Sequence, residues 1–332
     1  MIHDPTEESL SAAPRASLPR LAGVLLVVLA LASTGCSAIE RIVINRAAEG
    51  LTSTGTVYTG DDDPELIAEA LPFTLKLTET MLAKSPENQN LLLAACSGFT
   101  SYAAGFVEPD AYELEYVDYE RSRQLLERSF KLFRRAKGYC LQALELRYPG
   151  IKTALLSDPE AALERTDEGD VALLYWSGAS WGAAIAMALD RPEVVIDLPA
   201  ARALIERALE LDPAFQRGAL HEAMISVEAL PETMGGSIER ARVHFEKAVE
   251  LSRGYRASPY VTWALKVSVP EQDYAEFKEM LDKALAIDAE NLPDAFEGER
   301  LGILIAQERA RHLRDQAEDL FLVTGGEDAD MN

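Results

Sequence analysis

The stretch Ala201-Arg202-Ala203-Leu204-Ile205-Glu206-Arg207-Ala208-Leu209-Glu210-Leu211-Asp212-Pro213 decides the fold. Ala201, Ile205 and Ala208 share one face of a 3.6-residue period, and charged residues take the other face. The phrase returns 40 residues later as Ala241-x3-Phe245-x2-Ala248-Val249-Glu250-Leu251. It also stands earlier, as Ala136-x3-Cys140-x2-Ala143-Leu144-Glu145-Leu146, and a looser copy reads Ala284-Leu285-Ala286-Ile287-Asp288. Each part has a physical use. Alanine lets two helix backbones approach, Ile or Phe fills the groove between them, and Pro stops the helix. Strand alternation is hard to find anywhere, so the chain reads as all-α.

The unit resembles the second helix of a tetratricopeptide repeat. Its copies lie 65, 40 and 36 residues apart, against an ideal of about 34. The expectation is therefore a degenerate, insertion-bearing array, an α-solenoid or superhelix, over residues 61–322. A second echo supports it: Ser97-Gly98 in Leu91–Val107 recurs as Ser177-Gly178 in Val171–Leu189, an offset of 80. Both stretches are uncharged and rich in Gly, Ala and Ser. Neither reaches the ~20 residues of a membrane span, and their small residues suit tightly packed helices. They read as central helices walled by amphipathic partners, Glu120–Leu146 and Ala200–Leu211. Further helices are expected at Phe215–Leu230, Ile238–Leu251, Tyr260–Val267, Tyr274–Ile287 and, as one long element, Ala295–Leu322.

The chain has 332 residues and a net charge of −23. Such a surface repels nucleic acid and anionic headgroups, which excludes both as natural partners. At the N-terminal end, Arg15 and Arg20 precede the apolar run Leu21–Leu31, and small residues follow. That is the order of an export signal. Its close, Leu31-Ala32-Ser33-Thr34-Gly35-Cys36, resembles a bacterial lipobox. The resemblance implies a signal peptide over residues 1–35 and a diacylglycerol thioether on Cys36. It also implies a lipidated linker over residues 36–60 and anchoring through acyl chains alone. Ser37, not Asp, follows the cysteine; by analogy with bacterial sorting this favours the outer membrane. Cys96 and Cys140 remain, either as a disulfide or as two buried thiols. Residues 323–332 are an acidic tail with little to bury, expected to be disordered.

Catalytic chemistry finds no footing. His221, His244 and His312 are scattered without ligand spacing, and neither a G-x-S-x-G elbow nor a phosphate-cradling glycine loop occurs. No metal, cofactor or enzymatic activity is expected. Glu145, Glu210 and Glu250 recur with the repeat and read as solvated helix-face charges. Gly235-Gly236-Ser237 could bind an anion through successive N–H groups. The reading preferred is a tight turn with Ser237 as N-cap of the helix from Ile238. The aromatic residues of the uncharged helices, Phe99, Tyr102, Phe106, Tyr175, Trp176 and Trp181, serve either as core or as the wall of a ligand channel. In the second case Gly98, Gly105, Gly178 and Gly182 would supply room beside them.

Several phrases together resemble one family. Asp61-Asp62-Asp63-Pro64-Glu65-Leu66, Ala70-Leu71-Pro72-Phe73 and Leu91-Leu92-Leu93-Ala94-Ala95 are similar to the T components (TatT) of TRAP transporters, the tripartite ATP-independent periplasmic systems. So are Leu173-Leu174-Tyr175-Trp176 with Trp181-Gly182, and Met234-Gly235-Gly236-Ser237 with Ala241 and Phe245. The resemblance implies a tetratricopeptide-like periplasmic lipoprotein that forms homotrimers. It implies a hydrophobic pore through each protomer, docking of the solute-binding P component, and delivery of a small apolar or organic-acid ligand. The rival reading is a tetratricopeptide lipoprotein that scaffolds outer-membrane or secretin assembly.

Overall fold

A helix holds its first turn only when something accepts its free N–H groups, and this chain supplies that acceptor repeatedly. Asp63, Asn88, Asp118, Asp158, Ser237 and Asp273 each cap a helix, accepting from the backbone N–H three residues on. The computed structural model describes residues 55–322, and every regular element among them is helical. The signal segment with Cys36, most of the linker and the acidic tail lie outside the described residues.

The principal helices are α1 (Pro64–Lys84), α2 (Gln89–Tyr102), α3 (Tyr119–Arg147), α4 (Ile151–Ser157), α5 (Pro159–Leu163) and α6 (Val171–Ala186). They continue as α7 (Leu198–Leu211), α8 (Ala219–Glu228), α9 (Ile238–Leu251), α10 (Ser258–Trp263), α11 (Tyr274–Leu285) and α12 (Arg300–Asp315). α2 runs on through a π-turn, Ala103–Val107, into Glu108–Glu113. α10 likewise runs into a second π-turn, Ala264–Ser268.

The packing orders these helices into two rows. α2 touches α6, α6 touches α8, α8 touches α10, and α10 touches α12. Against this row lie α3, α7, α9 and α11, each beside its chain neighbours. The repeated alanines sit at those seams. Ala136, Ala143, Ala201, Ala208, Ala241, Ala248 and Ala284 are all buried, as the close-approach reading requires.

The first row also closes. α12 packs on Gly55–Thr59 and on α1. Ile305 lies 3.6 Å from where a Cβ on Gly105 would stand. Arg309 faces Glu108 at 3.8 Å, and Gln316 donates to the Tyr112 carbonyl at 3.0 Å. His312 pairs with Glu113 across the same seam. The last helix of the row thus returns to the first, making a ring of α2, α6, α8, α10 and α12.

Several expectations change. Ala295–Leu322 is three pieces: a 3-10 helix at Asp294–Glu299, then α12, then Ala317–Leu320. Phe215–Leu230 is interrupted at Gly218, whose φ of +97° a side chain would resist. Cys96 and Cys140, left open by the sequence, form a disulfide that ties α2 to α3 across 44 residues. By length and composition Gln89–Glu113 could cross a membrane, yet it packs between α1, α3 and α6. Glu145 is more than a solvated charge: it accepts from the Gly150 and Lys152 N–H groups, at 2.7 and 3.0 Å, and closes the turn after α3.

Candidate functional site

On the ring helices and the turns that lead into them, charged and aromatic residues form two groups, or tiers. In the first, Arg256 precedes α10 and reaches Glu222 of α8 at 3.1 Å and Glu299, just before α12, at 3.4 Å. Arg217 holds the other Glu299 oxygen at 3.1 Å, and Ser258 donates to Glu222 at 2.9 Å. Two cations meet two carboxylates, so this tier is neutral and fully paired. Tyr175 of α6 stands over it, against Phe215 at 5.4 Å and Trp176 at 4.9 Å. Burial first, and then the Glu222 charge, push the Tyr175 hydroxyl up to about 12. It is a neutral donor at any physiological pH.

The second tier joins Glu108, Tyr112, Lys266 and Arg309. Each π-turn positions one member: Lys266 is the middle residue of Ala264–Ser268, and Glu108 follows Ala103–Val107 directly. Such turns insert one residue into the helix and rotate the side chains beyond it, which is why they recur at functional sites. The guanidinium of Arg309 lies 5.7 Å from the Tyr112 ring centroid. Burial, then Glu108, raise the Tyr112 hydroxyl well above its ordinary value.

The six aromatic residues singled out from sequence fall into separate places. Tyr175 and Trp176 meet at the first tier. Tyr102 and Phe106 pair at 6.1 Å, and Arg128 donates to the Tyr102 hydroxyl at 3.1 Å. Phe99 is buried between α2 and α3, stacked on Tyr139 at 6.0 Å with Arg135 at 5.0 Å. Trp181 is buried too, donating from Nε1 to Asp197 at 3.2 Å under the Lys137 ammonium. Beside it opens a cleft of about 270 Å³ lined by Phe130, Arg134, Lys137, Arg191 and Asp197 among others. The glycines differ as well. A Cβ on Gly98 or Gly178 would collide with Leu75 or Ile205, so these two supply contact and not room. Gly182 faces open space.

Comparison with known proteins places the sequence in a family. Residues 60–321, nearly all of the described chain, match the TRAP transporter T-component model. The chain belongs to this family. It is also 33% identical over 271 residues to an uncharacterized protein of Treponema pallidum (strain Nichols), covering 80% of this chain and 83% of that one. The family is a component of a transporter, with its place in the bacterial cell envelope, and is not a family of enzymes.

In this T component the Gly235-Gly236-Ser237 segment is a turn whose N–H groups are spent internally. They donate to the carbonyls of Glu232, Pro231 and Glu228, at 2.9, 3.2 and 2.7 Å. Gly235 has a φ of +86°, and a Cβ on Gly236 would stand 1.7 Å from the Leu230 oxygen. Ser237 caps α9. The buried Glu228 carboxylate beside it is held by Arg202 and Arg240, and both arginines also donate to the Gly235 carbonyl.

Sequence reading missed two arrangements. His221 and His244, described above as scattered, meet through their Nδ1 atoms at 2.9 Å. Burial, then the neighbouring imidazole, hold His221 down to about 4, so the pair is neutral. Among the described residues no third ligand joins them to make a metal group. The signal was one His on each of two successive helices. The second omission was Lys266, whose signal was a lone cation in the otherwise uncharged run Pro259–Val269.

Proposed function

We propose that this T component is a lipid-anchored periplasmic protein that takes a small apolar or organic-acid solute into its helix ring and docks the solute-binding P component. The observation that carries the reading is the closed row of α2, α6, α8, α10 and α12, along which aromatic and charged side chains gather. A preformed, mostly apolar space with a few placed polar groups is the usual form of a small-molecule site. No catalytic step is assigned; function rests on capture and on raising the local solute concentration beside a partner.

Three further features fit. The Cys96–Cys140 disulfide suits an oxidising compartment. The lipobox-like run at Cys36 accounts for anchoring without a membrane span, and Ser37 favours the outer membrane. Homotrimers and a conduit walled by Tyr175 and Trp176 belong to the same proposal.

Photo-crosslinking in cells of its own kind tests the docking. The expected product is a covalent adduct with a solute-binding protein, lost when that protein is deleted. Adducts with outer-membrane assembly proteins alone would sink the transport reading in favour of the scaffold.

A further inference from the structure

The cleft beside Trp181, about 270 Å³ in volume, gathers three cations: Arg134 and Lys137 from α3, and Arg191 from the turn after α6. All three lie over aromatic faces. The Lys137 ammonium is 3.9 Å from the Trp181 ring centroid, while the guanidiniums of Arg191 and Arg134 stand 4.7 and 5.6 Å from the centroid of one ring, Phe130. The neighbouring carboxylates are already engaged. Asp197 accepts from Lys137 at 3.3 Å and from Trp181 at 3.2 Å through a single oxygen. Arg191 turns one nitrogen to Glu127 at 3.1 Å, a carboxylate that Lys131 shares. Arg134 has neither a hydrogen bond nor an ion pair among the described residues. Two guanidiniums on one ring, one of them without a carboxylate, repel each other until an anion bridges them. The helix beneath adds to the field. From Arg121 to Lys137, α3 carries seven cations and one carboxylate, in a chain whose net charge is −23. A concave site with a surplus of one sign concentrates ions of the other.

We infer that this cleft binds the phosphate group of a small soluble phosphomonoester. It is built on α3, which is not a ring helix, so it does not depend on any solute the ring takes. Phosphate suits these cations better than a carboxylate does. A phosphomonoester carries a charge of about −1.5 to −2 at pH 7 with three strong acceptor oxygens, and guanidinium takes phosphate oxygens in pairs. The volume stands just under the ~300 Å³ at which small-molecule sites begin, which suits a body of a few carbons beyond the phosphate. Ala184 and Val194 give that body an apolar wall. Glu193, exposed on the lining and without a hydrogen bond or ion pair, opposes the anion and limits its affinity.

Calorimetric titration of the full chain with Cys36→Ala, which leaves no site for an acyl anchor, tests this with glycerol phosphate, inorganic phosphate and glycerate as probes. Glycerol phosphate should bind at least about tenfold more tightly than glycerate, the scale of one hydrogen bond to a charged group. Arg134→Gln should weaken glycerol phosphate by at least about tenfold, and Glu193→Gln should strengthen it by a few-fold. Both side chains are exposed, so neither variant should shift the melt. Arg123→Gln removes an exposed cation of α3 outside the cleft and should change the affinity by less than about twofold. Binding of neither phosphate probe, equal affinity for phosphate and carboxylate, or an affinity that survives Arg134→Gln overturns the site. So does an equal loss in Arg123→Gln, which would mean diffuse attraction to a basic helix. Flotation with phosphatidylcholine vesicles, with and without phosphatidic acid, separates a lipid headgroup from a free ester. The net charge of −23 should keep the protein off the acidic vesicles. Flotation with them that Arg134→Gln abolishes would assign the phosphate to a lipid and overturn the soluble ligand.

Discussion

α2 and α6 carry the same Ser-Gly phrase eighty residues apart, and both glycines are close-contact points, yet what approaches them differs. At Gly98 a Cβ would meet the tip of Leu75, from the preceding helix α1, at 2.7 Å. At Gly178 it would meet both Cγ1 and Cδ1 of Ile205, from the following helix α7, at 2.6 Å, with the Ala201 carbonyl at 3.1 Å behind them. The first obstacle is the end of a flexible side chain. The second is a β-branched side chain backed by main chain. Their flanks differ too. Cys96 bridges α2 to α3, while the matching position in α6 is Trp176, edge-on to Tyr175. Phe99 stacks on α3, while its counterpart is Ala179. A repeated phrase marks where two helices touch; the partner is chosen by what the neighbouring helices offer.

The bridge gives the sharpest separation of the two helices. Closing a 44-residue loop is worth ~4 kcal/mol in the chain-entropy estimate. Replacing both cysteines by Ser should lower stability by about that much, with amide exchange speeding first in α2 and α3. Uniform acceleration through α6 and α7 would mean the two regions unfold as one and that the contrast has no energetic content.

The glycines come next. Gly178→Ala should cost ~1–3 kcal/mol through overpacking against Ile205 and the Ala201 carbonyl. Gly98→Ala should be near neutral, because Leu75 can swing aside and Ala gains ~1 kcal/mol of helix propensity over Gly. Denaturant melts of the pair decide it. Equal costs would erase the distinction between a flexible and a fixed neighbour.

The smallest effect concerns acid. Glu79 of α1 takes hydrogen bonds from Tyr139 and Arg135, the same two side chains that stack on Phe99. Burial alone would raise its carboxyl, but hydrogen bonds from Lys76 and Tyr139 and the Arg135 charge outweigh that and hold it below the ordinary 4.5. A depressed carboxyl stabilises the fold above its unfolded value and loses that contribution as pH falls through the folded value. Glu79→Gln should therefore flatten the loss of stability below pH 4.5, by under ~1 kcal/mol since Arg135 is half exposed. A slope unchanged by the substitution would remove Glu79 from the α1–α3 seam.

How much of this was legible depended on whether the signal was periodic. The alanine phrases placed seven buried contacts, and Ile238–Leu251 was bounded correctly because Ser237 caps one end. α1 was not among the helices expected from periodicity, since Pro72 and its threonines blur the pattern, though its start was carried by the family phrases. The π-turns left no trace: a single inserted residue does not visibly disturb a mostly apolar run such as Val261–Val269, with Lys266 its one charge. Ala295–Leu322 looked continuous in period, but Gly298 and Gln316 mark breaks that composition does not show. The meeting of His221 with His244 needs only two successive helices, but that of α12 with Gly105 and Glu108 depends on ring closure. No local pattern records closure, because its two sides lie some two hundred residues apart.

Closure is also what an interior solute site requires, and one cross-link tests it. Cysteines at Gly105 and Ile305, in the protein with its native disulfide intact, face each other across the seam where α12 meets the π-turn after α2. A short bismaleimide should join them within a single chain, and peptide mapping should find residue 105 linked to residue 305 in dilute protein. If the two cysteines are each modified separately, or link only between chains, the ring is open and the interior site goes with it.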